Sequence, residues 1–198
     1  PYAKLRIKDI LLHQAGLKEF IPFHLKAKAF LSRKMTGKHT LQVAHQLYAD
    51  SMITSWMRDE ILATPLSAEP GKSGAYKYSD VGFFFLKEIA EKQTHRKWEE
   101  ILSTEFYQPM QLQSLGYRPL EWTDSAKIAP TERDTLFRKQ IIRGYVHDPG
   151  AALMGGVAGH AGLFGNAYDL ANVMHMLMKK GRFGSHQLIQ PRTVEMFN

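Results

Sequence analysis

The sequence predicts a mainly helical fold with few strands, because several stretches carry helical periodicity and few carry the alternation of a strand. The clearest helix follows Tyr78. Apolar residues stand at 81, 84, 85, 86, 89 and 90, and the charged residues at 87, 88, 91 and 92 fall on the opposite face. Ser79 or Asp80 would cap its first turn, since either side chain can accept from the unpaired amides there. We expect this helix to be central and buried through three side chains: Phe84, Phe85 and Ile89.

Shorter signals predict the remaining elements in order along the chain. Gly16 would close the first helix and Gly181 the last long one, while Asn166, with Asp169 three residues on, has the spacing of a capping box. The predicted helices cover 7–14, 49–62, 97–106 and the segment after Asn166, which carries a stripe of Leu170, Val173, Met174 and Leu177, and Pro191 opens a final turn. Loops are predicted over 65–74 and over 113–150, the second with short strands near 114–117 and 141–146.

Composition excludes some classes of protein and leaves others open. The chain has no cysteine, which excludes disulfides and thiolate metal sites, and no apolar run of the ~18 residues that would span a membrane. Its nine histidines form no H-E-x-x-H motif, and the glycines at 156, 159, 162 and 165 lack the G-x-G-x-x-G order of a dinucleotide site. We therefore predict no metal and no cofactor. The net charge of +7 fits a polyanionic partner, but the scattered lysines and arginines favour a solvated basic surface.

Tyr78 and Asp80 stand immediately before or at the start of the best-defined helix and permit two interpretations. In the first, they belong to an ordinary capped helix start. In the second, a phenol beside the positive end of a helix and a cation has a lowered pKa and takes part in proton transfer. If the chain is extended here, the two side chains project to the same side. The local sequence favours the structural interpretation, because capped helices far outnumber catalytic tyrosines.

Three segments, taken in order, resemble one family of enzymes. The first is LRIKDILLHQAGL, similar to the family's IRDLLxHxSGL. The second is YKYSDVGFFFLKEIAEKQT, similar to its Tyr-x-Asn motif and the helix after it, and the third is GGVAGHAGLFGNAYDLANVMHML, similar to GGLxSTAxDLAxF. Over most of its length the chain thus resembles the serine hydrolases related to class C β-lactamases and penicillin-binding proteins. The longer form GYVHDPGAALMGGVAGHAGLFGNAYDLA further resembles a bacterial subgroup that is sometimes fused behind a glycoside hydrolase family 3 domain.

The resemblance implies acyl transfer, in which a serine attacks a carbonyl and a lysine three residues later helps to remove its proton. Only Tyr78 and Asp80 carry over as catalytic residues. The resemblance implies that the tyrosine takes part in proton transfer, and Asp80 stands where the family usually has asparagine. An ionised carboxylate can only accept hydrogen bonds, whereas an amide also donates, so this change makes the site more anionic. None of the ten serines has a lysine three positions on, and His160-Ala161-Gly162 is not counted as the family's third motif.

The resemblance also implies that residues 1–198 form a single partial domain, the helical subdomain and adjoining loops of a β-lactamase/transpeptidase-like α/β fold. The S-x-x-K region would precede it and the last strands would follow it. By analogy, the parent would be an extracytoplasmic enzyme that acts on an amide, ester or lactam of a small-molecule or peptidoglycan-like substrate, and this segment alone would be inactive. The alternative is a module that kept the fold but lost catalysis. A nucleic-acid binder, supported only by the basic pI, is the least favoured hypothesis.

Overall fold

A computed structural model describes residues 2–68 and 76–197 of the chain. The chain divides into two compact units, and each has its own buried apolar cluster. The first unit comprises Pro1–Ile89 and Arg118–Gly162, and the second comprises Ala90–Tyr117 and Leu163–Asn198. Among the described residues, no helix combines the length and the apolar character needed to cross a membrane.

Helices hold more residues than strands in the described part of the chain, and every strand is short. The helices are, in chain order, α1 (Ile7–Leu11), α2 (Phe23–Lys26), α3 (Ile53–Ala63), α4 (Val81–Thr94), α5 (Trp98–Leu102), α6 (Pro149–Leu153), α7 (Ala167–Met178) and α8 (Pro191–Phe197). The second unit contains α5, α7, α8 and the end of α4, and the other helices belong to the first unit. The helix predicted over 97–106 is α5 continued by a π-helical turn, Ser103–Tyr107.

Helix α1 is shorter than predicted, and the predicted glycine does not close it. The helix ends at Leu11, and His13 takes the left-handed conformation beyond it, with φ of 55°. Gly16 is required by a close approach instead, because a Cβ there would collide with the carbonyl oxygen of Ala68. The loop predicted over 65–74 is only partly described: residues 65–68 form no helix or strand, and 69–74 lie outside the described residues.

The first three strands form a small antiparallel sheet that was not predicted. Strands β1 (Leu31–Ser32), β2 (His39–Ala44) and β3 (Leu47–Asp50) are ordered β1-β3-β2. In β3 every second residue is buried and the others are half-buried, which is the alternation of a strand with one face on the core. The helix predicted over 49–62 therefore began too early, since α3 starts at Ile53, after β3 and a short turn.

Helix α4 confirms the strongest prediction, although its buried face is narrower than expected. Val81 and Phe84 are buried, and the ring of Phe84 lies 5.7 Å from the ring of Phe23, between centroids. Phe85 is only half-buried, and Ile89 is 37% exposed, so the burial predicted for Ile89 was wrong. The buried residues of α4, Val81, Gly82 and Phe84, all lie in its first turn, so the helix has left the core before it reaches Ile89.

The long loop predicted over 113–150 contains more regular structure than expected. Strands β4 (Pro130–Asp134) and β5 (Gln140–Arg143) pair as an antiparallel hairpin. The strand predicted near 141–146 corresponds to β5, which ends at 143, and the strand predicted near 114–117 is reduced to one bridge between Gly116 and Phe164. Strands this short carry too few residues for their periodicity to stand out in one sequence.

A buried arginine holds the segment after this hairpin in place. The guanidinium of Arg138, which is 0% exposed, donates to the carboxylates of Asp134 and Glu132 and to the carbonyl oxygens of Val146 and His147. A buried guanidinium needs such partners, because an unpaired buried charge is strongly unfavourable. The network fixes the backbone immediately before Asp148.

The second unit packs around helix α7. Asn166 caps this helix as predicted, since its side chain accepts from the Asp169 amide at 2.7 Å. The predicted apolar stripe was wrong in part: Leu170 and Met174 are more than half exposed, whereas Met176 is buried. Val173 and Leu177 of the predicted stripe do pack against the apolar cluster of the unit, which contains Met176 together with Met110 and Leu112. A short hairpin follows α7, β6 (Arg182–Phe183) with β7 (His186–Gln187), and α8 begins at Pro191 as predicted.

Candidate active site

Ser79 fixes the start of helix α4. Its hydroxyl oxygen accepts from the Val81 amide at 3.2 Å, and the hydroxyl donates to the Lys18 carbonyl oxygen at 2.6 Å. Ser79 is almost completely buried, so both bonds are shielded from water. Of the two predicted capping residues, Ser79 is therefore the one whose side chain bonds an amide of the first turn. The carboxylate of Asp80 makes a different bond.

Tyr78 and Asp80 meet through their side chains. The Tyr78 hydroxyl donates to Oδ1 of Asp80 at 2.8 Å, and Tyr78 is 55% exposed. This hydrogen bond raises the pKa of Tyr78 above its ordinary value, and partial burial and the negative charges of Asp80 and Asp148 act in the same direction. The phenol is thus held in its protonated form. A lowered pKa, which the position near a helix start had suggested, is not found.

His13 is the third side chain at this point; it stands at the histidine of the IRDLLxHxSGL-like segment, a signal from which no role was predicted. The Nδ1 atom of His13 accepts from the Ser79 amide at 3.1 Å, and its ring lies 4.8 Å from the Tyr78 ring, between centroids. The carbonyl of His13 also accepts from the Lys77 amide at 2.8 Å. Residues 77–79 are therefore bound to the turn that follows α1, and this turn fixes where the phenol stands.

Asp148 and His160 form a second polar pair in the same unit. Nε2 of His160 lies 2.9 Å from Oδ1 of Asp148, and the same oxygen accepts from the Ala151 amide at 2.6 Å, which caps helix α6. Burial opposes the charged form of Asp148, but the hydrogen bonds from His160 and the Ala151 amide outweigh it, and the pKa of Asp148 lies below its ordinary value. The Asp-Pro sequence at 148–149 is a helix-start signal that could have identified this aspartate.

His160 reaches this position because a glycine precedes it. A Cβ at Gly159 would collide with the carbonyl oxygen of Phe83, so only glycine lets the segment lie this close to α4. The imidazole of His160 then stacks on the ring of Phe84, with centroids 4.6 Å apart and planes 26° apart. The side chain of His160 is 5% exposed.

One small pocket of the first unit brings Asp80 together with this pair. Its polar lining comes from the side chains of Asp80, Asp148 and His160, and aromatic rings, including those of Phe23 and Phe84, line the rest. Tyr78 stands next to it through its hydrogen bond to Asp80. Among the described residues, no three histidine, aspartate or glutamate side chains are grouped so that they could hold a metal ion. The arrangement offers an exposed proton donor, a carboxylate that accepts from it and, in the lining of the same pocket, an imidazole paired with a second carboxylate.

The chain, with a tyrosine and an acid at the start of α4, has a fold of the serine β-lactamase-like and penicillin-binding-protein-like class. The chain is a member of the beta-lactamase family, because the family model described as "Beta-lactamase" matches residues 1–198. The resemblance in the three sequence segments is thereby confirmed. The fusion to a glycoside hydrolase family 3 domain stays a prediction.

Two curated relatives are similar to the chain in sequence, and one solved structure shares its fold. The N-acetylmuramyl-L-alanine amidase of Bacillus subtilis (strain 168) is 32% identical, with 98% of this chain and 42% of that protein covered. A protein of Salmonella schwarzengrund (strain CVM19633), provisionally named a D-alanyl-D-alanine carboxypeptidase, is 33% identical, with 98% of this chain and 43% of that protein covered. A penicillin binding protein from Bacillus halodurans shares the fold, with a TM-score of 0.60 at 14% identity over 98% of this chain and 51% of that one. The chain thus spans less than half the length of these curated relatives.

Proposed function

We propose that the protein containing this chain is a β-lactamase/DD-peptidase-like serine hydrolase that acts by acyl transfer on an amide, ester or lactam. The observation that carries this proposal is the exposed Tyr78 hydroxyl, hydrogen-bonded to Asp80 at the start of α4. These residues match the place of the family's Tyr-x-Asn motif. The named relatives support a substrate of the cell wall, small-molecule or peptidoglycan-like, and hence an extracytoplasmic location.

Tyr78 acts in this proposal as the proton donor to the leaving group. Its raised pKa keeps the phenol protonated at neutral pH, and a protonated phenol can donate but cannot serve as the first base. The serine and lysine of S-x-x-K, which this chain does not contain, would supply the nucleophile and the base. When the acyl bond to the leaving amine or alcohol breaks, Tyr78 donates its proton to that group, and the lysine returns a proton to the phenolate.

Asp80 holds the phenol in this role. Its carboxylate can only accept, so the Tyr78 hydroxyl must point at it or at a substrate atom that competes with it. The negative charge of the same carboxylate makes the Tyr78 phenolate less favourable, and this slows any reaction step in which the phenolate forms. Asp80 therefore favours Tyr78 as a proton donor over Tyr78 as a base.

The second candidate function is a binding module that kept the fold and lost catalysis. The raised pKa of Tyr78 favours it, because an enzyme that needs the phenolate would be poorly served by Asp80. The two candidates differ in whether the full-length protein forms a covalent acyl adduct, and in whether Tyr78 affects turnover.

The test uses the full-length protein and a reactive penicillin, with mass spectrometry to detect a serine adduct and an ester substrate to follow turnover. We expect an adduct, and we expect Tyr78→Phe to lower turnover about 10²–10⁴-fold with the fold intact. Tyr168→Phe is the matched control, since Tyr168 is 75% exposed and lies in the second unit. Full turnover in the Tyr78→Phe protein would refute the catalytic role, and the lack of any adduct would favour the binding module.

The chain of 198 residues by itself is expected to form no adduct. It contains ten serines, and none is followed three positions later by lysine. Incubation of this chain with the same penicillin should leave its mass unchanged. A stoichiometric adduct on one of its serines would show that the nucleophile had been misassigned.

A further inference from the structure

The imidazole of His160 has one nitrogen that the described residues do not satisfy. Nε2 faces Oδ1 of Asp148, and since a carboxylate only accepts, Nε2 carries the proton. Nδ1 is buried, and no group of the described residues donates to it or accepts from it. A buried polar atom without a partner is unfavourable, and in most proteins such an atom is bonded to an ordered water.

The pocket beside this ring suits such a water. Its free space is about that of one water molecule, which is the least that a pocket needs in order to hold a water. Three polar side chains line it: His160, Asp148 and Asp80. A buried water needs two to four polar partners, and a neutral Nδ1 together with a carboxylate accepts both protons of one molecule.

We propose that this pocket is a water site in which one water donates to Nδ1 of His160 and to the carboxylate of Asp80. The hydrogen bonds then form a continuous chain. His160 donates to Asp148, the water donates to His160 and to Asp80, and Tyr78 donates to Asp80. Every proton in this series of hydrogen bonds has one acceptor, so each donor and acceptor in it is satisfied.

The water makes His160 and Asp148 positioning residues for Tyr78. Asp148 fixes the tautomer of His160, His160 holds the water, and the water holds the Asp80 carboxylate that orients the Tyr78 hydroxyl. This consequence rests on the proposed function, whereas the water site itself does not. Stacking on Phe84 and the glycine at 159 keep the ring in the required plane.

Two substitutions test separate parts of this series of hydrogen bonds. In His160→Phe the ring that stacks on Phe84 is kept, while both ring nitrogens, and with them the acceptor Nδ1, are lost. In Asp148→Asn the side-chain oxygen still accepts from the imidazole and from the Ala151 amide, so the tautomer and the water are kept. The control is His175→Phe, since His175 is an exposed histidine of α7.

The experiment is a crystal structure of the full-length protein, with kinetics of the same variants on an ester substrate. We expect a water about 2.7–3.2 Å from His160 Nδ1 and from an Asp80 oxygen, absent in His160→Phe and present in Asp148→Asn. Turnover in His160→Phe should fall about tenfold or more at unchanged KM, since the variant loses at least one hydrogen bond that positions Tyr78, with little change in His175→Phe.

The outcomes separate this inference from the proposed function. A dry pocket in the wild-type protein, or a protein group bonded to Nδ1, would refute the water site, and neither result needs a variant to fold. A water present in the wild-type protein together with normal kcat in His160→Phe would refute the positioning role. If Tyr78→Phe keeps full turnover, the proposed function fails while the crystallographic test of the water stands.

Discussion

Nδ1 of His13 accepts a hydrogen bond from the amide of Ser79 at 3.1 Å, across 66 residues of sequence. The bond joins the turn after α1 to the start of α4. It also assigns the proton of a neutral His13 to Nε2, because Nδ1 is the acceptor. The ring that makes this bond packs against Tyr78, so the position of the phenol depends on His13.

We expect His13→Ala to lower the free energy of unfolding by about 1–3 kcal/mol, because it leaves the buried Ser79 amide without an acceptor. His13→Asn should be milder. Asparagine tolerates the positive φ of this position, and its side-chain oxygen can accept the same amide. Urea unfolding of the three proteins measures the difference, and equal midpoints for His13→Ala and the wild type would contradict it.

Asp80→Asn should lower the pKa of Tyr78, because it removes the hydrogen bond to a carboxylate, which is the main cause of the raised pKa, and the negative charge that also opposes the phenolate. Phenolate absorbance against pH, taken as the difference from Tyr78→Phe, reports this pKa. In the full-length protein the same substitution should leave turnover equal or faster. A Tyr78 pKa that stays the same or rises would show that Asp80 is not the main cause of the shift.

Phe84→Ala should destabilise the protein by about 3–5 kcal/mol, since Phe84 is buried against Phe23 and stacked on His160. Ile89→Ala on the same helix should cost far less, because Ile89 is 37% exposed. Thermal unfolding of both variants tests the placement of α4. Equal losses in melting temperature would mean that the buried face had been misassigned.

Asp134 gives the fold an acid-sensitive contact. Burial acts against its charge, but the hydrogen bonds from the side chain and amide of Arg138 and from the Phe137 amide outweigh it and lower the pKa of Asp134 from 3.8 to about 2. A lowered folded-state pKa contributes stability that is fully present above pH 3.8 and is lost as the pH falls towards 2. The contribution is about 2 kcal/mol.

Asp134→Asn should remove this part of the pH dependence and destabilise the protein at neutral pH by about 3–5 kcal/mol, because Arg138 loses a buried partner. Asp59→Asn, at an exposed position of α3, is the control. Denaturant unfolding at several values between neutral pH and pH 2 measures both effects. A slope between pH 4 and 2 that is the same in Asp134→Asn and the wild type would contradict the assignment.

The long amphipathic helices were predictable because their signal is local. Helix α4, its start after Ser79 and the cap at Asn166 follow from spacing and from side chains that bond their own helix. The sheet β1–β3 and the hairpin β4–β5 were missed, since short strands become stable only through partners elsewhere in the chain. The buried face of α7 was predicted only in part, because packing decides how far round the helix that face extends: Val173 and Leu177 meet the cluster, but Met176 is buried there in place of Leu170 and Met174.

The residues of the candidate site also divide into those that are close in sequence, which could be predicted, and those that are distant in sequence, which could not. Tyr78 and Asp80 lie two residues apart, so their proximity could be predicted and their hydrogen bond follows from it. His13 and Ser79 are 66 positions apart, and His160 reaches Asp148 only because the intervening chain turns back. The sequence around His160 resembles the family's third motif at the wrong place in the chain, and no periodicity marks a histidine whose partner is a helix cap.

The buried guanidinium of Arg138 also has a consequence for the order in which the protein assembles. All its hydrogen-bond partners lie within nine positions along the chain, whereas the contact between His13 and Ser79 closes a loop of 66. Short loops close at little entropic cost and early in folding, so we expect the segment from Glu132 to His147 to form first and to persist longest. During transient opening of the native protein, residues 77–79 would then detach from the turn after α1 while Asp148 stays in place. Proteolysis of the opened form should cut the chain before the β4–β5 hairpin and leave that hairpin intact.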